Sequence, residues 1–216
     1  MSDYVGGVDE SGKGDYFGPL VVVAAAISVL ERPLLDELNV RDSKLLSDQR
    51  ALTVAARLRR DVPHALVVIM PAKYNELYAR IGNLNKLLAW GHARAIENLL
   101  EKVDCSRVVS DQFAKAHVLN GALMEKGRNV EIVQRVRGEA EPAVAVASII
   151  ARAEFLDRLQ RLSAEFAIAL PKGGGAIVDE VGARFVRQHG DMKLADVAKT
   201  HFKNTSKIHA RLGQTA

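Results

Sequence analysis

"GGVDESGKGDYFGPLVVVAAAIS", residues 6–28, places two adjacent acids, Asp9 and Glu10, just ahead of a run fit only for the middle of a sheet. In "PLVVVAAAI" (19–27) no polar residue alternates with the apolar ones, the pattern of a strand buried on both faces. Successive strand residues point to opposite faces, so Asp9 and Glu10 cannot both reach solvent beside such a neighbour. Acids are disfavoured within strands, and close carboxylates repel one another unless something neutralises them. One reading ends a strand at the pair and matches it with Lys13 or an arginine; the other gives the pair a divalent cation. A third acid favours the cation. Asp111 closes "SRVVSD" (106–111), again an apolar strand ending on a carboxylate, and the ends of central strands are where α/β sheets present ligand groups. Such hard oxygen donors suit Mg²⁺ or Mn²⁺.

The glycines invite a competing reading. "GVDESGKG" (7–14) follows the phosphate-loop pattern up to its last position, where Gly14 replaces the Ser or Thr that holds Mg²⁺. A strand follows instead of the helix whose N-terminus would receive phosphates, so a nucleotide loop is excluded. "SGKGDYFG" (11–18) reads instead as a tight connection between two strands, with Gly12 and Gly14 letting the backbone approach a ligand. Lys13 is then either a phosphate contact or a solvated turn lysine.

The 216 residues, 48% hydrophobic and 5% aromatic, predict one domain over 1–216 with an aliphatic core. Strands are expected at about 4–10, 19–28, 65–70, 106–111 and 130–136. Ser47 caps a helix reaching about Arg60, Pro71 opens another, and Leu84, Leu88, Gly91, Ala95 and Leu99 form the buried stripe of a third over about 84–103. From about 142 to 216 the pattern is helical, broken by the glycine loop "LPKGGGA" (170–176). The single cysteine, Cys105, excludes a disulfide framework and suits a reducing compartment. The run 20–27 is too short to cross a bilayer and the first residues are not a secretory signal, so a cytoplasmic protein without membrane association is expected. The net charge of +4 is unevenly spread: "RLRR" (57–60) and "KTHFKNTSKIHAR" (199–211) are basic clusters, the latter without an acid. Such runs are either solvated faces or phosphate-contacting surfaces.

Taken together, "GVDESGKGDYFGPLVVVAAA" (7–26), "RDSKLLS" (41–47), "SDQFAKAH" (110–117), "AVAVASIIARAEFL" (143–156), "LPKGGG" (170–175) and "HFKNT" (201–205) resemble, in order, the motifs of the type 2 ribonucleases H. The Gly-Lys-Gly followed by Asp-Tyr-Phe-Gly-Pro is similar to the ribonuclease HIII branch. The resemblance implies a ribonuclease H-like α/β fold: a five-stranded mixed sheet flanked by helices, with a helical C-terminal part. It also implies hydrolysis of the RNA strand of RNA–DNA hybrids, with four acids holding two ions. By motif position Asp9, Glu10 and Asp111 are three of them. The fourth is expected ahead of "ASIIAR" at Glu139, which directly follows Gly138; Glu141 and Glu154 remain alternatives, the latter read as a helix-surface residue. Ser11, Gly12, Lys13 and Gly14, with Ser43, Lys44 and Ser148, match positions that face the substrate; Ser148 has core or cap duty as its alternative.

Two ions about 4 Å apart suffice to orient a water and stabilise a departing 3′ oxygen, so no catalytic histidine is required. His117, His201 and His209 are accordingly read as helix or surface residues. The alternative function is a catalytically silent hybrid-binding module; neither reading needs an obligate protein partner. Two departures from the family pattern stand out. Gly174 replaces the tyrosine with which ribonuclease HII recognises a lone ribonucleotide. The first catalytic strand begins at about Tyr4, so the chain reads as a catalytic domain without the usual N-terminal substrate-binding domain.

Overall fold

The computed structural model describes residues 4–40, 46–111, 115–136 and 138–213. In chain order the elements are β1 (Tyr4–Ser11), β2 (Leu20–Ile27), α1 (Arg32–Leu38), α2 (Asp48–Asp61), β3 (His64–Ile69), α3 (Pro71–Ile81), α4 (Leu84–Leu100), β4 (Cys105–Asp111), α5 (Ala116–Asn120), β5 (Glu131–Arg135), α6 (Pro142–Glu165), α7 (Ala176–His189), α8 (Leu194–Val197) and α9 (Lys203–Gly213). All five expected strands form, each within two residues of its predicted bounds, and Ser47 and Pro71 open their helices as expected. The chain divides into two compact units, one of residues 1–11, 21–67 and 83–154, the other of 12–20, 68–82 and 155–216.

The first unit is built on the mixed sheet, ordered β3-β2-β1-β4-β5. β1 runs antiparallel to β2 and parallel to β4, which is parallel to β5. Every residue of β2 is buried, as an unbroken apolar run requires. The two faces are covered by different helices. On one, α4 lies so near the sheet that a Cβ on Gly91 would stand 3.1 Å from Val22. On the other, α6 begins against Gly7, where a Cβ would fall 2.2 Å from the Val144 nitrogen. Leu88, Ala95 and Leu99 are buried as the stripe on α4 predicts, and Leu84 is half-buried. No helix among the described residues is long and apolar enough to cross a membrane.

The second unit fixes the shape of the loop between β1 and β2. Gly12 has φ +86°, and a Cβ there would meet the Pro19 carbonyl at 2.1 Å, so only glycine fits this turn. Tyr16 donates its amide to the Gly173 carbonyl at 2.9 Å, and Gly173 donates to the Asp15 carboxylate at 2.6 Å. The glycine loop of the 170s therefore lies on the Gly-Lys-Gly connection. Lys199 sits beneath it, fully buried, its Nζ donating to the carbonyls of Asp15 (2.8 Å) and Gly18 (2.6 Å). The basic run 199–211 is thus not uniformly a surface: Lys199 and Asn204 are buried structural residues.

Burial pulls the Lys199 ammonium down to about 7, against a partial upward effect of Asp15. The unfolded chain, with an ordinary lysine near 10.4, binds more protons between those values, so the stability that Lys199 contributes rises with pH across that window. Lys199→Met keeps the apolar stem and leaves two buried carbonyls without their donor, at about 1–3 kcal/mol each. Urea titrations from pH 6 to 10 are expected to show a deficit in Lys199→Met that widens as pH rises; a variant as stable as the parent at pH 9 would contradict this.

Candidate active site

Asp9 and Glu10 stand at the C-terminal end of β1, the central strand, and alternation sends them to opposite faces. Asp9 faces α6. Its carboxylate accepts the Glu10 amide at Oδ1, 2.9 Å, and the Ser148 hydroxyl from α6. Burial, and then the neighbouring Glu10 charge, pushes Asp9 up to about 7 despite these donors and the pull of His92. That value marks a carboxylate with too little positive charge around it.

Glu10 faces α4, where its Oε2 meets His92 Nε2 at 2.9 Å. His92 is fully buried, and its Nδ1 lies 3.4 Å from the Ser110 hydroxyl. Ser110 in turn donates to the Asp111 carbonyl at 2.9 Å. Because Val8 pairs with Ser110 in the parallel register, Asp111 lies one step further on, level with Asp9 and on its face of the sheet. Its Oδ1 accepts the Gly138 amide at 3.1 Å.

Glu139, expected as the fourth acid, lies in the short turn Gly138–Ala140, next to the residue bonded to Asp111; of Glu139 the backbone alone is described. Its rivals are engaged elsewhere. Glu141 stands 3.7 Å from Arg107 and 3.9 Å from Arg135. Glu154 is not the surface residue expected from its helix position: it is buried and bonded to Arg59 at 2.8 Å. Among the described residues, no three His, Cys, Asp or Glu side chains converge as a metal-holding group.

Ser11 ends β1 half-buried, Gly12 and Lys13 form the turn, and Gly14 is exposed with open space around it. Ser43 and Lys44 lie outside the described residues. Gly174, the departure from the ribonuclease HII pattern, has its Cβ position 3.3 Å from Asn204 Oδ1 and 4.0 Å from the Gly14 carbonyl. A larger residue there would border the Gly-Lys-Gly turn. His117 and His209 are exposed as read, and His209 pairs with Asp191 at 2.7 Å. His201 is exposed and stacks on Tyr78 with ring centroids 3.7 Å apart.

His92 was not legible as a site residue. It stands next to Gly91 in an otherwise apolar helix stripe, and the only signal in the sequence is that position: a ring on the face that packs on the acid-bearing strands.

Solved structures share this fold. Bst-RNase HIII in complex with Mn²⁺ is 34% identical and superposes with a TM-score of 0.91, covering 99% of this chain and 71% of its own. The five-stranded mixed sheet, matched at this level, has the fold of a type 2 ribonuclease H. The family model described as Ribonuclease HII matches residues 6–205, a span that runs through both units, and the chain belongs to this family of enzymes. Relatives named Ribonuclease HIII include that of Protochlamydia amoebophila, 43% identical over 96% of this chain and 69% of its own length. That of Chlamydia felis is 41% identical over 94% of this chain and 68% of its own.

Proposed function

We propose that this enzyme is an endonuclease that hydrolyses the RNA strand of RNA–DNA hybrids, with two Mg²⁺ or Mn²⁺ ions held by Asp9, Glu10, Asp111 and Glu139. Asp9 carries the reading: a buried carboxylate beside a second one, pushed up to about 7, wants a cation. The acids at the strand ends are hard oxygen donors, so the residues fit such ions by their chemistry. The Mn²⁺ complex of Bst-RNase HIII supports the same choice. When bound, the ions activate water for in-line attack and stabilise the departing 3′ oxygen.

The chain supplies orientation. The Ser148 hydroxyl and the Glu10 amide aim Asp9, and the Gly138 amide aims Asp111. Ser11, Gly12, Lys13 and Gly14 contact the strand that is cut. Gly14 leaves room for close backbone approach, one way to sense a 2′-hydroxyl. Ser43 and Lys44 follow the backbone of the same substrate. With glycine at 174, a lone ribonucleotide embedded in DNA is a poor substrate. We assign the enzyme to the cytoplasm, where a lone half-buried thiol such as Cys105 stays reduced.

The test is a panel of end-labelled hybrid, duplex DNA, duplex RNA and a DNA duplex with one ribonucleotide, each with Mg²⁺ or Mn²⁺ and with EDTA. The expected result is RNA cleavage in the hybrid alone, abolished by EDTA. Equal cutting of all substrates would refute the substrate assignment. Salt-sensitive hybrid binding with no product under either metal would favour the silent binding module.

A further inference from the structure

We propose that His92 is a positioning residue for the reaction: its imidazole clamps the Glu10 carboxylate toward β4, so that Glu10 meets a divalent cation in one orientation. The inference rests on the metal role proposed for Glu10. A fully buried imidazole is a costly choice in a helix whose buried residues are mostly leucine and alanine, unless its ring nitrogens find partners. They face two strands, and the nearer contact is to a carboxylate. Nε2 lies 2.9 Å from Glu10 Oε2 on β1, and Nδ1 lies 3.4 Å from Ser110 Oγ on β4, next to Asp111.

The hydrogen-bond inventory fixes the direction. A carboxylate is acceptor-only, so Nε2 is the donor to Glu10. With Nε2 holding the ring proton, Nδ1 is an acceptor, and it lies 3.4 Å from a Ser110 hydroxyl whose single proton goes to the Asp111 carbonyl. One ring therefore ties together the ends of the two strands that carry the candidate acids. Glu10 has a longer side chain than Asp9 or Asp111 and loses more rotamer freedom than they do on binding an ion; a fixed donor removes part of that cost beforehand. Hydrogen-bonded partners of ligating carboxylates typically change metal affinity by about 10–100-fold.

The experiment compares the parent with His92→Gln, His92→Asn, His92→Leu and Asp9→Asn. Mn²⁺ binding to the protein alone is read by calorimetry, and the Mn²⁺ concentration for half-maximal hybrid cleavage is read alongside. His92→Leu is expected to weaken Mn²⁺ binding by about 10–100-fold. His92→Gln, whose amide reaches Glu10, is expected to restore most of it, and the shorter His92→Asn is not. This order is what a purely space-filling role would not give. If His92→Leu fails to fold, the Gln and Asn pair carries the test. Equal Mn²⁺ affinity in Gln, Asn and parent, with Asp9→Asn still defective, would overturn the role of His92 and leave the metal site standing. Unchanged Mn²⁺ binding in Asp9→Asn would overturn the site itself and this inference with it.

Discussion

Asp9→Asn is expected to give a folded protein that no longer cuts RNA in a hybrid. Asn keeps the shape and the ability to accept the Glu10 amide and the Ser148 hydroxyl, so the end of β1 keeps its hydrogen bonds. What disappears is the charge. Loss of an outer partner of a metal ligand already costs about 10–100-fold, so losing the ligand itself should lower hybrid cleavage by at least about a hundredfold. Stability should move the other way. In EDTA the buried Asp9 carboxylate repels Glu10, and the neutral amide removes that repulsion. The melting temperature of Asp9→Asn in EDTA is therefore expected to equal or exceed that of the parent. Substantial cleavage by this variant, or a melting temperature several degrees lower, would count against the role assigned to Asp9.

Gly7→Ala is expected to produce a large loss of stability from a single methyl group. The new Cβ would lie 2.2 Å from the Val144 nitrogen, 2.3 Å from the Ala143 carbonyl carbon and 2.7 Å from its oxygen. All three are backbone atoms, so no side-chain rotation relieves the clash; the start of α6 must move away from the sheet. Overpacking in cores costs about 1–3 kcal/mol where side chains can adjust, and here the loss should exceed about 3 kcal/mol. For a chain of this size that is a fall in melting temperature of roughly 6–12 °C. Because α6 carries Ser148, which holds Asp9, hybrid cleavage should fall with it. Gly14→Ala is the control, since nothing stands within 4 Å of its Cβ position and stability should be unchanged. A Gly7→Ala protein as stable as Gly14→Ala would show that α6 does not pack as described.

The sheet was readable because its signals are local. The unbroken run Leu20–Ile27, the strands closing on Asp9 and Asp111, and the cap at Ser47 each declare themselves within about ten residues. What could not be read depends on partners far along the chain. His92 meets Glu10 across 82 residues, and in sequence it is one more ring in a helix stripe. Lys199 belongs to a basic run, and nothing nearby signals that two carbonyls 181 and 184 residues earlier enclose it. Glu154 looked solvent-facing because its partner, Arg59, comes 95 residues before it. Acids and bases next to hydrophobic helices read as surface by default, and only the tertiary pairing shows which of them are interior.

The grip of Lys199 on the β1–β2 loop also sets an order of events at the ribosome. Strands β1 and β2 can pair as soon as both are made, but the backbone of the Gly-Lys-Gly connection stays unanchored until Lys199, 181 and 184 residues beyond the carbonyls it holds, has been added. A nascent chain stalled before residue 199 would carry its acidic strands without a finished loop beside them in sequence. Competence would then wait for residue 199 to leave the exit tunnel.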